Sequence, residues 1–411
     1  MSTINKESDA IQPIKSPLAI ADFYAGKSVF ITGVTGFVAK VIYLSQHGLI
    51  IICFLLTVPE DLRIKAPDTL KWSFREDTFL DLNKIIPVAG DIHKPELGIS
   101  VEDQERLIDK VSVVFHVAAS VDFEEELISS LNTNLIGTVN TLGLSRRMKN
   151  IEVILALIIG YIICVCLFTG DRPNTYTYAK ALAENYVAEN HGNVPTVIVR
   201  PSIVVSSSKE PIPGWSDTIQ GATALVSTSW KGLNRVILGQ DHNIVDLIPV
   251  DYVSNLLIVA AARCHRYEYV ITVLSCLKNI HVNIFFSSDS IMYPRVIFTK
   301  SKTLLSILTV LLQTGPAYAA DLFRRVKGNR PMYMKIQSKI LAAHGSLNYF
   351  TCNSWIFKTD STGQLHKSLS SSDRKEFHFN PSDINWDDYF ETYLNGIERN
   401  YDLMDIDVIN N

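Results

Sequence analysis

The stretch KSVFITGVTGFVAKVIYL, residues 27–44, constrains the fold more than any other part of this sequence. The run from Ser28 to Thr32 has the composition of a buried strand, and the residues after it have the pattern of a turn and a helix. Glycines at such a turn let a dinucleotide's pyrophosphate approach the N–H groups at the start of the helix. A tight turn that binds nothing is the alternative. The predicted cofactor loop consists of Gly33, Thr35, Gly36, Phe37 and Val38.

Two later segments predict strands that alternate with helices. The first strand ends at Gly90-Asp91 and the second is Val111–Val117, while 101–110 and 126–148 have helical patterns. This alternation predicts an α/β fold with a doubly wound parallel sheet, the NAD(P)-binding Rossmann type, which binds ligands at the carboxyl ends of its strands.

The residues after these strands are predicted cofactor contacts. Asp91 would lie beside the adenine, and the small residues Ala118 and Ala119 would leave room for the cofactor. Asp also favours turns and helix caps, so a purely structural role for Asp91 stays open.

NTYTYAKALAEN, residues 174–185, places Tyr176 and Lys180 four positions apart in a predicted helix. At this spacing both side chains lie on one helix face and can reach the same ligand. A neighbouring ammonium lowers the pKa of a phenol, so Tyr176 is the predicted proton donor and Lys180 the group that tunes it. The pair alone could be an ordinary helix face, and the glycine loop upstream is what favours a catalytic interpretation.

Composition narrows the class of protein. With 411 residues, 47% of them apolar, the chain can form one large and one smaller domain. A net charge of -4 with interspersed signs argues against nucleic-acid binding. Six scattered cysteines predict neither a disulfide framework nor a metal site, and fit a reducing compartment. The polar residues 1–20 predict a disordered N-terminal tail without a secretory signal.

Several stretches together resemble a known family, the extended short-chain dehydrogenase/reductases, and within it the alcohol-forming fatty acyl-CoA reductases of the insect type. The likeness covers roughly 21–270 and 291–398. It is carried by FYAGKSVFITGVTGF, VVFHVAASVDF, GDRPNTYTYAKALAE, VIVRPSIVVSSSKEPIPGWSD, LIPVDYVSNLLIVAA and the region from LNYFTCNSWIF to YLNGI.

The resemblance implies NADPH-dependent reduction of a long-chain fatty acyl-CoA to a fatty alcohol through a bound aldehyde. Lys180 would also hold the nicotinamide ribose, and Pro201 and Ser202 would border the nicotinamide; a strand end closed by a proline turn explains the last two equally well. It further implies a Rossmann reductase domain over 21–275, a smaller, mainly helical C-terminal domain over 276–411, and an intracellular location on the cytoplasmic face of the endoplasmic reticulum or peroxisome membrane.

The sequence departs from the family where a catalytic Ser is expected. Ile158 stands at that position, and losing one oxyanion donor costs about a hundredfold or more in rate. A non-catalytic relative that binds NADPH or acyl-CoA, or an extended reductase for another substrate, therefore stays open. After the second strand, Thr57 to Glu60 shows no arginine for a 2'-phosphate, so NADPH is expected from the family alone. The segment 273–290 matches no known pattern.

Two apolar segments raise the question of a membrane. Residues 153–170 are uncharged and long enough to span a bilayer, but they lie between elements of one sheet, so we predict a buried strand there. Leu304 to Leu312 is apolar, is expected to be broken at Gly315-Pro316, and precedes Arg324, Arg325 and Lys327. An apolar helix with a basic border predicts association with a membrane surface; helices packed on the Rossmann domain are the alternative.

Overall fold

The computed structural model describes residues 18–44, 52–57, 84–158, 174–217, 219–240, 243, 246–264, 269–274, 296–354, 357 and 359–400. The chain divides into two compact units. The first consists of Met1–Ser202, Val250–Ser275 and Lys358–Pro381, and the second of Ile203–Pro249, Cys276–Phe357 and Ser382–Asn411.

A parallel sheet forms the centre of the first unit. In the described residues it has seven strands in the order β10-β6-β5-β4-β1-β2-β3. The strand order reverses between β1 and β4, and in open α/β sheets such a switch point is where ligands bind. The strands are β1 Ser28–Thr32, β2 Ile52–Thr57, β3 Ile85–Ala89, β4 Val111–His116, β5 Val153–Leu157, β6 Thr196–Pro201 and β10 Tyr269–Leu274.

Helices pack against this sheet, as the predicted doubly wound α/β fold requires. Ser100 caps helix α3, Val101–Lys110, because its hydroxyl accepts a hydrogen bond from the Asp103 N–H at 3.2 Å. A π-helical turn, Asn132–Ile136, joins α4 to α5. The helices of this unit are α1 Ile20–Tyr24, α2 Phe37–Leu44, α3 Val101–Lys110, α4 Leu127–Leu131, α5 Gly137–Ser145, α6 Thr175–Asn190, α8 Val250–Cys264, α12 Asp360–Lys367 and α13 Ser371–Glu376.

The central strands are buried along their whole length, which explains their uninterrupted apolar composition. Every residue of β1, β4 and β5 is buried. The predicted strand within 153–170 is confirmed for Val153–Leu157, which pairs with β4 and β6. Residues 159–173, like the polar tail 1–17 and the segment 275–295, lie outside the described residues.

In its described residues the second unit is mainly helical, with two short parallel strand pairs, β7 with β9 and β8 with β11. The predicted break at Gly315-Pro316 is wrong, because the helix continues from Lys302 to Val326. A π turn, Val310–Thr314, directly precedes Gly315-Pro316, and this local change in the hydrogen-bond pattern accommodates the missing N–H of the proline within the helix. The elements are α7 Gly221–Trp230, α9 Lys302–Thr309, α10 Gly315–Val326, α11 Tyr333–Thr351, α14 Trp386–Asn400, β7 Ile203–Val205, β8 Val236–Leu238, β9 Leu247–Pro249 and β11 Ile297–Thr299.

The chain passes between the two units several times. One crossing lies between Ser275 of the first unit and Cys276 of the second. The second unit also takes 203–249 from the predicted reductase domain, while α12 returns to pack on β10 of the first unit. Functional assignment of 21–275 and 276–411 as separate domains stays a prediction.

Candidate active site

The predicted cofactor loop lies where β1 and β4 end. Gly33 has a φ of 74°, and a Cβ atom there would lie 2.6 Å from the Ala118 Cα. Glycine is therefore required because two backbone segments touch, in addition to the positive φ. Thr35 and Gly36 are exposed directly before α2, and the Gly36 N–H closes the turn by donating to the Gly33 carbonyl at 2.9 Å, so an accessible loop leads into the start of a helix, where anions are commonly bound.

The other predicted residues of this loop and of the β4 end differ in exposure. Phe37 and Val38, the first residues of α2, are half-buried. Ala118 is half-buried and Ala119 is exposed. The loop after β4 thus combines a close packing contact at Ala118 with an accessible small residue at Ala119.

A buried histidine that the sequence analysis missed connects the two strands. Thr32 and His116 are paired in register, and the Thr32 hydroxyl lies 2.9 Å from the His116 Nδ1. The His116 Nε2 lies 2.9 Å from the Thr138 hydroxyl, which itself donates its proton to the Asn134 carbonyl at 2.7 Å. Since that hydroxyl has one proton, His116 must donate from Nε2 and accept at Nδ1.

His116 is held neutral. Burial, and to a smaller extent the positive charge of Lys180, lower its pKa to about 3. A polar residue ending each of two apolar strands, Thr32 and His116, was the signal in the sequence that could have revealed this network.

Asn134 lies in the π turn beside this network. Its side-chain N–H groups donate to the Ser120 carbonyl and the Ser130 hydroxyl, both at 3.3 Å. Its Oδ1 atom is buried and has no hydrogen-bond partner among the described residues. A buried acceptor without a partner is costly in a folded protein, which marks Asn134 as a further residue available to a ligand.

The predicted catalytic pair lies at the start of α6. Asn174 caps this helix by accepting a hydrogen bond from the Thr177 N–H at 3.0 Å. Tyr176 and Lys180 are each only 2% exposed. The Tyr176 ring lies 5.6 Å from the Phe123 ring, and its hydroxyl has no partner among the described residues.

Electrostatics at this pair differ from the expectation. The Lys180 ammonium donates a long hydrogen bond, 3.5 Å, to the Leu157 carbonyl, and burial lowers its pKa to about 8. Burial raises the pKa of Tyr176, whereas the sequence analysis expected Lys180 to lower it. The reason is that desolvation disfavours the phenolate, so Tyr176 keeps its proton at neutral pH.

Ile158, where the sequence analysis expected the family's Ser, directly follows β5. Its N–H donates to the Val199 carbonyl at 2.9 Å. Its side chain is 2% exposed and packs in an apolar cluster with Ala181, Val187 and Ile198. An apolar side chain there fills the layer between sheet and helix.

The predicted contacts Pro201 and Ser202 lie at the end of β6. Pro201 ends β6, and the next residue, Ser202, is buried with a hydroxyl that has no partner among the described residues.

The predicted adenine contact Asp91 follows β3. Asp91 forms a turn in which it accepts hydrogen bonds from the His93 N–H at 3.0 Å and the His93 ring at 2.8 Å. Partial burial raises the pKa of Asp91, but these bonds and the charge of Lys94 outweigh it and the pKa is lowered. The structural role is thus present, and adenine contact stays a prediction.

These features fit a nicotinamide dinucleotide. The exposed start of α2 can bind a pyrophosphate, and the switch point supplies the crevice. The buried, unpartnered oxygens of Tyr176, Asn134 and Ser202 offer hydrogen bonds that no described residue uses.

Comparisons with known proteins agree. An NAD-binding family model described as male sterility protein matches 31–157 and 169–257, and a second model of that description matches 312–403. The first leaves out 158–168, the segment that departs from the family pattern.

The chain is 31% identical to fatty acyl-CoA reductase 1 of Xenopus laevis, over 93% of this chain and 86% of that protein. It is 30% identical to the Homo sapiens protein of the same name, with the same coverage. Among solved structures, the terminal R domain of the myxalamid biosynthetic pathway has a TM-score of 0.66 at 18% identity, covering 95% of this chain and 94% of that one. The Bordetella bronchiseptica enzyme WbmF with NAD+ has a TM-score of 0.51 at 16% identity, covering 94% and 96%. These last two share the fold. The chain belongs to the fatty acyl-CoA reductase family, within the extended short-chain dehydrogenase/reductases.

Proposed function

We propose that this chain catalyses NADPH-dependent reduction of a long-chain fatty acyl-CoA to a fatty alcohol through a bound aldehyde. The observation that carries the proposal is the buried, unpartnered Tyr176 hydroxyl one helical turn from Lys180, in a chain whose relatives are named fatty acyl-CoA reductases. The WbmF likeness concerns the fold and favours no other substrate.

The protein's own groups would manage the proton and the charge. Two molecules of NADPH would each supply one hydride, the first to the thioester carbonyl, whose collapse to the aldehyde releases the CoA thiol, and the second to the aldehyde. Tyr176, protonated because of its burial, would donate its proton to the carbonyl oxygen as that oxygen gains negative charge. Lys180, with a pKa of about 8, would be mostly charged at neutral pH and would bind the nicotinamide ribose. The loop Gly33–Gly36 would bind the pyrophosphate.

The second candidate is a relative that binds NADPH and acyl-CoA without turnover. Ile158 favours it, because a hydrocarbon side chain in an apolar cluster cannot donate a hydrogen bond to the oxyanion.

One experiment separates the two. The purified chain is incubated with NADPH and palmitoyl-CoA, and fatty alcohol is measured by mass spectrometry beside Ile158→Ser and Tyr176→Phe. Alcohol from the unmodified chain, lost in Tyr176→Phe, supports the reductase. If only Ile158→Ser gives alcohol, the unmodified chain is a binding relative that lacks a hydrogen-bond donor at position 158. If none gives alcohol while NADPH still binds, catalysis is excluded for this chain.

We also propose that the chain works at a membrane surface, on the cytoplasmic face of the endoplasmic reticulum or peroxisome. The helix Lys302–Val326 has the length and composition to cross a membrane, and only 17% of its most apolar 18-residue stretch is buried inside the protein. Eight of its large apolar residues are exposed: Leu304, Ile307, Val310, Leu311, Tyr318, Leu322, Phe323 and Val326.

The polarity of this helix is the reverse of the usual arrangement in a water-exposed helix. Three of its polar residues, Thr309, Gln313 and Asp321, are buried, while eight of its large apolar residues are exposed. The Gln313 side chain accepts from the Val236 N–H at 2.9 Å, and Asp321 accepts from the N–H groups that begin α11. The exposed apolar face therefore suits a hydrocarbon environment.

Charge favours an anionic lipid surface over a protein partner. Asp321 is the only acidic residue in 296–335, and it is occupied as a helix cap. The same segment carries seven basic residues, most of them close to the ends of the exposed helix: Lys300, Lys302, Arg324, Arg325, Lys327, Arg330 and Lys335. Each basic residue near an anionic membrane contributes about 1 kcal/mol.

Vesicle sedimentation tests this surface. We expect the chain to sediment with phosphatidylcholine vesicles that contain phosphatidylserine, and the double variant Leu311→Glu/Phe323→Glu to lose at least about tenfold in apparent affinity. Val101→Glu, at an exposed apolar residue of the first unit, is the matched control. Equal sedimentation of all three proteins would exclude the proposed face.

A further inference from the structure

Ser202 carries a buried hydroxyl that makes no hydrogen bond within the described part of the chain. The residue directly follows β6 and is 1% exposed, and its Oγ atom has no described partner. A buried hydroxyl without a hydrogen bond destabilises a folded protein, so its presence calls for a partner from outside the chain. The hydroxyl of Tyr176, in the same compact unit, is buried and unpartnered in the same way.

The alternation of side chains along β6 directs Ser202 toward helix α6. Ile198 packs in an apolar cluster with Val187 of that helix, and both guanidinium groups that Arg200 offers are hydrogen-bonded to the Glu184 carboxylate of the same helix. Successive side chains of a strand point to opposite faces of the sheet, so every second residue belongs to one row. Ser202 is the next member of this row after Arg200.

The same contacts show how far along α6 Ser202 lies. Arg200 lies opposite Glu184, and the contacts of the row move toward the start of the helix as the strand advances. Two strand residues advance about 6.6 Å, which corresponds to about four residues of a helix. The next step of the row therefore brings Ser202 level with Lys180, one helical turn from Tyr176.

We propose that Ser202 is a catalytic residue whose hydroxyl donates a hydrogen bond to the carbonyl oxygen of the substrate, in place of the donor that Ile158 does not provide. The inference rests on the proposed reduction for its substrate and on the unpartnered hydroxyl for its place. Ile158 and Ile198 belong to one cluster against α6, and β5 is paired with β6. Position 158 and Ser202 thus lie on neighbouring strands and on the same face of the sheet, with Ser202 closer to the carboxyl edge.

The two hydroxyls would act differently in the reaction. As the carbonyl carbon takes hydride, its oxygen gains the electron pair of the π bond and takes the proton of Tyr176. Ser202 keeps its proton and donates a hydrogen bond that strengthens as negative charge develops on the oxygen. Tyr176 is therefore the acid, and Ser202 stabilises the oxyanion.

A complex that cannot react tests this contact without turnover. Palmitoyl-CoA, isotopically labelled at its carbonyl carbon, is bound together with NADP+, and the carbonyl band is measured by infrared difference spectroscopy. A hydrogen bond to the oxygen lowers the frequency of this band, so Ser202→Ala and Tyr176→Phe should each raise it. Ser202→Thr, which keeps a hydroxyl, should leave the band near its position in the unmodified chain. Ser254→Ala is the control, because the Ser254 hydroxyl is also buried but donates to the Val250 carbonyl at 3.0 Å.

Kinetics and stability give further readouts where alcohol forms. Ser202→Ala should lower kcat about a hundredfold or more and change the Kd of NADPH less than about twofold, since the lost bond strengthens only in the transition state. In an Ile158→Ser background the same change should cost at least about tenfold less, because the two hydroxyls would serve one oxygen. Thermal unfolding of Ser202→Ala should not occur at a lower temperature than that of the unmodified chain, since the removed hydroxyl has no described partner.

The outcomes separate this inference from the proposed function. If no alcohol forms but the carbonyl band moves in Ser202→Ala, turnover by the chain is excluded and the hydrogen bond from Ser202 stands. If alcohol forms while neither the band nor kcat changes in Ser202→Ala, the reductase stands and the assignment of Ser202 is wrong. If Ser202→Ala weakens NADPH binding about tenfold or more and leaves the band unchanged, the hydroxyl contacts the cofactor and the assignment is also wrong. Failure of the unmodified chain to bind palmitoyl-CoA would overturn both proposals.

Discussion

Replacing Lys180 with Met should stabilise the protein while abolishing reduction. Lys180 is 2% exposed and its single described hydrogen bond, to the Leu157 carbonyl, is long at 3.5 Å. Its pKa falls from 10.5 to about 8 because of burial. One pKa unit corresponds to about 1.36 kcal/mol, so keeping this ammonium inside the folded protein costs about 3 kcal/mol.

The pH dependence follows from the sign of the shift. Because the folded pKa is the lower one, the unfolded chain binds more protons between pH 8 and 10.5, and the stability of the unmodified protein rises across this window. Below about pH 8 the ammonium is charged in both states and the whole cost is present. The advantage of Lys180→Met should therefore be largest at pH 7 and disappear above pH 10.5.

Urea unfolding followed by circular dichroism, at pH 7, 9 and 10.5, measures the effect. Lys110→Met, the same change at an exposed lysine, should alter the free energy of unfolding by less than about 0.5 kcal/mol. NADPH oxidation with palmitoyl-CoA should be lost in Lys180→Met alone. If Lys180→Met is no more stable than the unmodified protein at pH 7, or if its advantage does not decline with pH, the reasoning from burial is wrong.

Three further substitutions probe the same unit. Tyr176→Phe removes a buried hydroxyl without a described partner, so it should cost no stability and could add up to about 1 kcal/mol in urea unfolding, while alcohol formation stops. Gly33→Val places a Cβ against the Ala118 backbone at a positive φ, and should cost about 2 kcal/mol or more and weaken NADPH binding in a fluorescence titration. Arg263→Met breaks a buried 3.1 Å pair with Asp373 and should cost about 3–5 kcal/mol in the same unfolding assay, whereas the double change with Asp373→Leu should recover only part of it, because Asp373 also accepts a hydrogen bond from the Ile20 N–H at 3.3 Å.

The elements that the sequence predicted well are those whose pattern is local. Helix α3 has the predicted bounds, and β4 ends one residue before the predicted Val117. The helix that carries Tyr176 and Lys180 begins directly after its cap, Asn174, which is the first residue of the stretch 174–185 from which this helix was predicted. Continuous apolar runs and caps act over a few residues, so they can be recognised without knowledge of the fold.

The His116 network could not be predicted in the same way. Thr32, His116 and Thr138 are far apart in the chain, and only the register of β1 with β4 makes the first two neighbours. A single histidine at a strand end has many ordinary explanations. The direction of the Tyr176 pKa was missed for a related reason, since burial depends on packing by distant segments and a helix face does not reveal it.

The helix Lys302–Val326, whose apolar side chains are largely exposed, shows why hydrophobic periodicity alone does not predict which face of a helix is buried. Periodicity predicts an apolar face and assumes that the protein interior covers it. Here the interior presents backbone N–H groups, those of Val236 and of the start of α11, which need acceptors. Gln313 and Asp321 supply these acceptors and therefore face inward, which turns the apolar side chains outward. A second apolar phase, the bilayer in our proposal, is then what makes this arrangement stable, and the Leu311→Glu/Phe323→Glu variant tests that dependence directly.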